Sequence, residues 1–397
     1  MGPRRGPRLA FISCNETPWG GSEELWARAA LACVEKGAQV AFAKPRMPPS
    51  VPVIRDLTRV SLLATDLFRI PLVPMRLANF LNFLARPVSF AYHLLALWIF
   101  ILRARPELII LSQGGCWDGF YMRRVLRLFS IPYVLICQKA SDLYWPPDRL
   151  RGEVRDFVLS ARHVFTVSQH NLDLLQEQIG CAVNSASVVR NPFLVDYNEP
   201  LPWPEVGDGV RLACVGRLHT MEKGQDMLLR VLARPGWKAR DIHVDFYGEG
   251  VNREGLEEMA AFLDCRNVTF RGHVHDITAI WRDHHALILP SRAEGLPLVL
   301  VETMLAGRVA IVSAAGGSAE VVEDGETAFL VRGFDEAALD AAMERAWQRR
   351  NEWPSMAKKA AAAIRLSVPG DPAEELASRL LELHGAEGAV RNSERGA

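Results

Sequence analysis

The sequence lacks an excess of charge of either sign, a paired cysteine pattern and a long apolar run. Its 46 Lys and Arg residues balance 46 Asp and Glu residues, so no overall positive field attracts nucleic acid. The seven cysteines are scattered and include no C-x-x-C pair, which favours free thiols in a reducing compartment. The longest apolar stretch, residues 88–102, is shorter than the ~20 residues that a membrane-spanning helix needs. These absences argue against a nucleic-acid partner, a disulfide framework and a bilayer span.

We also expect no secretion signal, because the basic residues 1–8 are followed only by the short apolar run LAFIS. Together with the cysteine usage, this predicts a cytoplasmic protein.

Acidic residues are absent between Asp66 and Glu107, where arginines stand among Phe, Leu and Trp. These arginines are Arg69, Arg76, Arg86, Arg103 and Arg105. The composition is typical of helices that rest on anionic lipid headgroups. Helices that cover a protein core and turn their arginines outward have the same composition, so this alternative stays open. Contact of residues 67–106 with the inner face of a membrane is therefore a hypothesis.

Length and hydrophobic content favour two domains. The chain has 397 residues, 49% of them hydrophobic, and single cores rarely grow beyond ~250–300 residues. Short apolar runs alternate with helical segments on both sides of residues 190–209, a stretch with four prolines and two glycines. The strand-like runs are RLAFISC, AQVAFAK, PELIILSQ, IPYVLICQ and HVFTVSQ before that stretch, and VRLACVG, IHVDFYG, NVTFRGH, HALILP, VAIVSA and AFLV after it.

This alternation predicts an α/β fold with two doubly wound, Rossmann-like domains that face each other across a cleft. The predicted boundaries are residues 1–195 for the first domain, 196–208 for the linker, 209–370 for the second domain, 371–386 for a C-terminal helix that packs back toward the first domain and 387–397 for a flexible tail. Ligands of such sheets bind at the carboxyl ends of the strands, so a site is expected in the loops that follow them.

Two carboxylates stand around the apolar segment LILPSRAEGLPLVLVETMLAG, residues 287–307, which is predicted to form a strand, a loop and a helix that Pro297 opens. Glu302 lies within the apolar helix, where an uncompensated polar group costs roughly 2–7 kcal/mol, so ligand hydroxyls are expected to donate to it. Glu294 precedes the helix, whose free N–H groups at residues 295–298 and positive dipole end favour a bound phosphate. In the alternative interpretation Glu294 is a solvated loop residue and Glu302 is held by a neighbouring loop, and both interpretations stay open.

Further groups suited to anions follow other strands of the second domain. Arg217 and Lys223 lie in GRLHTMEKGQDMLL, after the run VRLACV, and the glycines of GEG, residues 248–250, follow VDFY. Each signal alone is weak, because solvated cations and small loop residues are common. Their shared position at strand ends predicts a pocket for a diphosphate that carries sugar hydroxyls.

The motifs from about residue 208 to 335 resemble the donor domain of the retaining glycosyltransferases of family 4, which have a B-type fold of two domains. CVGRLHTMEKGQDMLL, YGEG, FRGHV, PSRAEGLPLVLVETMLAG and VSAAGGSAEVVEDGETAFLV occur in the family's order. The E-x7-E element from Glu294 to Glu302 is the specific part. The resemblance implies transfer of a sugar from a UDP-, GDP- or ADP-sugar to a hydroxyl of a glycan or lipid-linked acceptor, with retention of configuration.

By this resemblance Arg217 and Lys223 hold the donor diphosphate and Glu294 contacts the transferred sugar, so these three residues are the predicted catalytic set. Glu302 is expected to bind the ribose hydroxyls. The other predicted donor contacts are Gly216, Gly248, Gly250, Gly295, Leu296, Pro297 and Leu298. The implied chemistry needs no metal or cofactor, and the chain has no D-x-D, the usual metal-binding element of the other main glycosyltransferase fold.

The first domain resembles the family mainly through the glycine loop WGGSE, whose Gly20 and Gly21 are expected to meet the donor from the acceptor side. Many members carry a histidine near the reacting sugar, at the end of the fourth predicted strand, where this chain has Gln138. Gln138 forms hydrogen bonds but carries no charge, which puts a role that needs an imidazole in doubt. Asp142 is a candidate helper on the acceptor side.

Two other functions stay open. A nucleotide-sugar epimerase on the same fold needs acid and base side chains at the sugar, which the E-x7-E element does not favour. A non-catalytic protein that binds sugar nucleotides keeps the pocket without turnover, and the intact set of two cations and two carboxylates argues against it. The histidine pairs at 273/275 and 284/285 have no Cys or carboxylate arrangement near them and are not expected to bind a metal.

Overall fold

The computed structural model describes residues 6–16, 19–47, 50–67, 86–205 and 209–395 of the chain. Two parallel β-sheets and their flanking helices make up this part of the chain. Residues 68–85 of the acid-free segment lie outside the described residues, as do residues 206–208 of the predicted linker.

The first sheet takes its strands from the N-terminal half of the chain. They are β1 (Arg8–Ser13), β2 (Gln39–Lys44), β3 (Leu63–Asp66), β4 (Leu108–Gly115), β5 (Tyr133–Lys139), β6 (His163–Thr166) and β7 (Ala186–Val188). The helices among them are α1 (Gly21–Glu35), α2 (Pro52–Val60), α3 (Arg86–Ala104), α4 (Arg123–Phe129), α5 (Asp148–Leu159) and α6 (Gln169–Ile179). The strand order is β3-β2-β1-β4-β5-β6-β7, so the direction of winding reverses between β1 and β4.

The second sheet repeats this design. Its strands are β8 (Val210–Val215), β9 (Ile242–Tyr247), β10 (Val268–Gly272), β11 (Ala286–Leu289), β12 (Val309–Ser313) and β13 (Phe329–Val331), in the order β10-β9-β8-β11-β12-β13. The helices are α7 (Thr220–Lys223), α8 (Gln225–Leu232), α9 (Pro235–Lys238), α10 (Arg253–Phe262), α11 (Ile277–Asp283), α12 (Leu298–Leu305), α13 (Ser318–Val321), α14 (Glu336–Gln348), α15 (Trp353–Ser367) and α16 (Pro372–Arg395).

Helices cover both faces of each sheet, so the strands are apolar on both sides, as parallel strands of this kind must be. The five residues of β5 from Tyr133 to Cys137 are buried, and only its last residue, Lys139, becomes partly exposed. The predicted fold of two Rossmann-like domains is confirmed. The sequence missed β3 and β7, because these strands have no long apolar run and are only partly buried.

Two stretches connect the sheets. The described residues 189–205, after β7, contain no helix or strand. At the other end of the second domain, α16 packs along α1 and buries Leu376 and Leu380. The helix continues to Arg395, beyond residue 386, where the sequence predicted its end. The C-terminal helix thus completes the packing of the first domain.

A buried ion pair lies beneath the start of α1. Glu23 is 1% exposed and Lys44 is 0% exposed, and Lys44 Nζ lies 3.3 Å from Glu23 Oε2. The Ser13 hydroxyl and the Trp26 indole N–H each donate to this carboxylate over 3.0 Å. Burial raises the pKa of Glu23, and the positive charge of Lys44 opposes the rise. The cluster anchors the glycine loop to the sheet, because Glu23 is the last residue of the WGGSE loop and its partners Ser13 and Lys44 lie on β1 and β2.

Replacement of Lys44 by Met is expected to destabilise the fold by about 3–5 kcal/mol, because the Glu23 carboxylate then stays buried without its cation. Urea unfolding measures this loss. The matched control is Lys36→Met, which removes an exposed ion pair with Glu374 and is expected to leave the stability almost unchanged, because exposed ion pairs contribute little. Equal losses in the two variants would contradict the stated importance of the buried pair.

Candidate active site

The loops that follow two neighbouring strands form the centre of the site. Since β8 lies beside β11 in the sheet, the segment after β8, which leads into α7, meets the segment after β11, which leads into α12. Lys223 ends α7, and its Nζ lies 2.6 Å from Glu294 Oε1. The Ser291 hydroxyl donates to the same carboxylate oxygen over 2.6 Å. The structure therefore joins two of the predicted catalytic residues in one mostly buried ion pair.

Arg292 fixes the two loops to each other. Its guanidinium donates to the Thr220 carbonyl over 2.6 Å and to both carboxylate oxygens of Asp226 over 2.9 and 3.1 Å. Its backbone N–H donates to the Glu222 carbonyl over 2.7 Å. Sequence reasoning missed this arginine, because nothing in the local pattern marks Asp226 as its partner. A bidentate pair of this kind has a fixed geometry, so Lys223 and Glu294 are held in register.

Arg217 lies on the loop between β8 and α7, and its side chain is 60% exposed. One of its terminal nitrogens donates to Glu222 Oε2 over 3.1 Å, and its carbonyl accepts from the Gln225 side chain over 2.8 Å. Glu222 directly precedes Lys223, so the structure brings Arg217 and Lys223 to one short helix. Sequence reasoning overlooked Glu222, although a carboxylate between two predicted anion-binding cations was a signal for it.

The glycines at 216, 248 and 250 let neighbouring loops pack closely. A side chain at Gly248 would place its Cβ 2.1 Å from the Gly216 carbonyl oxygen, and one at Gly250 would lie 2.3 Å from the Leu218 carbonyl oxygen. Gly216 and Gly248 also have positive φ values, 157° and 130°, which glycine adopts most readily. In the structure the loop that contains Arg217 packs against the backbone of residues 248–250. Donor contacts at these glycines stay a prediction.

The start of α12 faces the first domain. Pro297 occupies the position before the first helical residue, Leu298, where the sequence had placed it inside the helix. A Cβ on Gly295 would lie 2.0 Å from the Gln138 carbonyl oxygen, and one on Gly21 would lie 3.0 Å from the Leu298 side chain. Both glycines are therefore needed for the domains to approach this closely. Leu296, which follows Gly295 in the sequence, is buried.

Gly20 has a different position from Gly21. It stands at the start of α1 in an extended conformation, and a Cβ at this residue would meet nothing within 4 Å. Space therefore remains beside Gly20, and its donor contact stays a prediction.

Hydrogen bonds hold both the side-chain amide and the backbone carbonyl of Gln138. Its Nε2 donates to the Ser22 carbonyl over 3.3 Å, its Oε1 accepts from the Asn191 side chain over 2.8 Å, and its carbonyl accepts from the Asn171 side chain over 3.3 Å. Asp142, the predicted helper, is exposed on the turn after β5. It is Lys139, next to Gln138, that reaches the second domain, and its Nζ lies 2.5 Å from Glu222 Oε1.

Glu302 is buried within α12, as its apolar surroundings predicted. Its Oε1 accepts from the Leu194 N–H over 3.0 Å. Burial raises the pKa of Glu302 to about 8, and the Leu194 N–H opposes this rise. The hydrogen bond is the contact expected if a neighbouring loop holds Glu302, and the ribose role stays a prediction.

Among the described residues, no three His, Cys, Asp or Glu side chains are grouped as a metal site requires. His284 is buried, and its ring nitrogens lie 2.7 Å from the Ile280 carbonyl and 2.9 Å from Asp245. The seven cysteines are free.

Solved structures define the class to which this architecture belongs. The chain matches the sucrose-phosphate synthase of Thermosynechococcus elongatus with a TM-score of 0.75 at 17% identity, over 96% of this chain and 100% of that one. It matches HepE of Anabaena in complex with UDP-glucose with a TM-score of 0.70 at 18% identity, over 94% and 99% of the two chains. The chain thus has the B-type glycosyltransferase fold.

Sequence comparison shows what the second domain is similar to. Residues 209–349 match the family described as glycosyl transferases group 1. The GDP-mannose-dependent alpha-(1-6)-phosphatidylinositol monomannoside mannosyltransferase of Mycolicibacterium smegmatis is 31% identical over 183 residues, 40% of this chain and 47% of that protein. The chain spans only part of the curated relatives it matches, from 29% to 54% of their own length. The predicted resemblance to a B-type glycosyltransferase is confirmed, and family 4 stays a prediction.

The raised pKa of Glu302 predicts a pH-dependent stability. The folded protein binds this proton more tightly than the unfolded chain, so the contribution of Glu302 is fully present below its ordinary pKa of 4.5 and is lost as the pH rises through about 8. Glu302→Gln cannot ionise and still offers an oxygen to the Leu194 N–H. Thermal unfolding is therefore expected to show this variant gaining stability over the wild type between about pH 5 and pH 8. Glu257→Gln, at an exposed position of α10, is the control and should show no such trend; a constant difference for Glu302→Gln would contradict the assignment.

Proposed function

We propose that this protein is a retaining glycosyltransferase that moves a sugar from a nucleotide diphosphate sugar to a hydroxyl of a glycan or lipid-linked acceptor, without a metal ion. Such a role fits the biosynthesis of a polysaccharide or glycolipid. The proposal joins the group 1 match of the second domain to the geometry at the carboxyl ends of β8 and β11.

One observation carries the proposal: the Lys223–Glu294 ion pair lies directly before the first turn of α12. Cleavage of the glycosidic bond builds negative charge on the departing diphosphate and positive charge on the sugar ring. Lys223, Arg217 and the N-terminus of α12 stabilise the diphosphate, as preorganised charges and dipoles do in other enzymes. The Glu294 carboxylate holds hydroxyls of the transferred sugar and favours the positive ring.

The first domain supplies the other wall of the reaction site. Gly295 lies against the Gln138 carbonyl, and Leu298 lies against Gly21. This close approach excludes water that would otherwise hydrolyse the donor. Gln138 keeps its amide in one orientation through the Asn191 side chain and offers uncharged hydrogen-bonding groups to the sugar or acceptor.

The names of similar proteins suggest which donors to test first. HepE was solved with UDP-glucose, and the mannosyltransferase relative is described as GDP-mannose-dependent. UDP- and GDP-sugars are therefore the first candidates, with ADP-sugars next.

Incubation of the full chain with UDP-glucose, GDP-mannose and ADP-glucose tests the function. Slow release of nucleotide without acceptor, accelerated by a glycan or lipid-linked acceptor, is expected for a transferase. Retention is read from the anomeric configuration of the product by NMR. Conversion of the sugar without nucleotide release would indicate an epimerase, and tight binding without either reaction would indicate a non-catalytic binding protein.

Lys223→Ala and Glu294→Gln are each expected to lower turnover at least ~100-fold, because each removes one preorganised group that acts on the developing charges. Nucleotide release under saturating donor measures the loss. Lys359→Ala, which removes an exposed ion pair with Glu326 in the same domain, is the matched control and should turn over normally. Normal rates in both site variants would refute their roles.

We also propose that the first domain contacts an anionic membrane. Within the described part of the chain, no helix is long and apolar enough to cross a bilayer. Large apolar side chains are nevertheless exposed on α3 and α4, and exposed arginines stand beside them. The apolar residues are Leu95, Trp98, Leu102 and Leu128, and the arginines are Arg103, Arg105, Arg124 and Arg127. The ring centroids of Trp98 and Phe129 lie 6.3 Å apart, which joins the two helices into one surface. Apolar side chains with cations beside them suit an interfacial position on anionic lipid.

Trp98→Glu is expected to reduce co-sedimentation with phosphatidylglycerol vesicles, because it places a negative charge at the apolar centre of this surface. Leu366→Glu, at an even more exposed apolar position of α15 in the second domain, should bind like the wild type. If the wild-type protein fails to sediment with anionic vesicles, the membrane surface is refuted.

A further inference from the structure

An ion pair across the cleft links the first domain to the arginine that the donor diphosphate is proposed to meet. Lys139, the last residue of β5, belongs to the first sheet, and Glu222 belongs to α7 of the second domain. Lys139 Nζ lies 2.5 Å from Glu222 Oε1, with the two side chains 21% and 9% exposed. Both charges are largely removed from water, so each depends on the other for compensation.

The second oxygen of Glu222 serves a different cation. Oε2 accepts from Arg217 over 3.1 Å, so a single carboxylate bridges Lys139 in one domain and Arg217 in the other. The backbone of Glu222 is fixed, because its carbonyl accepts from the N–H groups of Arg292 and Ala293. When Lys139 approaches or leaves, the backbone of Glu222 therefore stays in place and only its carboxylate group is free to change position.

The charges around Glu222 determine how Lys139 affects Arg217. Burial alone would raise the pKa of Glu222, but Lys139, Arg217 and Lys223 together lower it below its ordinary value, so the carboxylate is ionised at neutral pH. Without Lys139, the Oε1 oxygen of Glu222 would lose its partner, and the buried negative charge would draw more strongly on Arg217 and compete with a diphosphate for it. With Lys139 in place, one oxygen is compensated from the first domain, and Arg217 is held in position without being fully neutralised.

We propose that Glu222 is a positioning residue through which closure of the two domains, sensed by Lys139, orients Arg217 for the donor diphosphate. This inference rests on the proposed function for the role of Arg217. It predicts that Lys139 acts on the rate of transfer through Arg217 and contributes little to binding of the nucleotide itself.

A double-mutant cycle tests the proposal. Lys139→Met keeps the length of the side chain and removes its charge, and it is expected to lower kcat about 10-fold while the donor KM changes less than about 3-fold. Lys139→Arg is expected to restore most of the rate. In an Arg217→Ala background the Lys139→Met effect should disappear, because the group through which it acts is gone. An undiminished effect in that background would overturn the proposal.

Arg190→Met supplies the matched control. Arg190 also pairs across the cleft, with Glu320 at 3.6 Å, but it has no contact with Glu222 or Arg217. Any loss of rate that it causes should persist unchanged in the Arg217→Ala background. Small-angle scattering of the same variants with UDP and with GDP measures closure: Lys139→Met should have a larger radius of gyration than the wild type, and Lys139→Arg should match the wild type.

The scattering experiment separates this inference from the proposed function. If the wild-type chain turns over no nucleotide sugar, the proposed function fails, and closure still reports on the Lys139–Glu222 contact. An unchanged radius of gyration in Lys139→Met would overturn the inference even if transfer is confirmed.

Discussion

Positive charge at the carboxyl ends of β8 and β11 is the constraint on which the rest of the structure depends. Lys223 lies there against Glu294, which precedes the start of α12, and Arg217 lies on the loop before α7. Unit charges about 4 Å apart near a protein surface interact by about 4 kcal/mol, so such a cluster needs anions within reach. Glu294 and Glu222 supply them from the protein, each partly buried and each bonded to one of the cations. A diphosphate is the ligand that we propose for the same cluster.

The loops around these charges are held by interactions that have no direct part in chemistry. Arg292 ties the Glu294 loop to Thr220 and Asp226, and the glycines at 216, 248 and 250 let the neighbouring loops pack without side chains between them. Preorganised charges lower a barrier only if they need not move during the reaction. The supporting contacts therefore matter to function through rigidity, and their loss would loosen Lys223 and Glu294 together.

Specific contacts also determine how closely the two domains approach each other. Gly295 and Gly21 leave room for one domain to touch the other, and the hydrogen bonds of Gln138 fix the wall that Gly295 meets. The helix α16 returns to α1 and holds the end of the second domain near the first. The interface between the domains is thus built from backbone contact as well as from the ion pair between Lys139 and Glu222.

Much of the fold and part of the site followed from local patterns. Apolar runs predicted the positions of the buried strands. The strands β3 and β7 were not predicted, because they are only partly buried and have no such run. Glu294 and Lys223 were predicted from their positions at strand ends, and the structure joins them. Asp142 was predicted on the acceptor side because it follows β5; the structure places it exposed on the turn after that strand, and its role stays a prediction.

The sequence by itself determined two α/β domains and an acidic pair around an apolar helix, because periodicity, helix-start residues and charge act over a few neighbouring positions. The tertiary structure alone decided that Lys139 meets Glu222 and that Glu302 meets Leu194, across sequence separations of 83 and 108 residues. These contacts depend on how the two domains and the segment that connects them pack together, and no local sequence pattern specifies which distant residues meet.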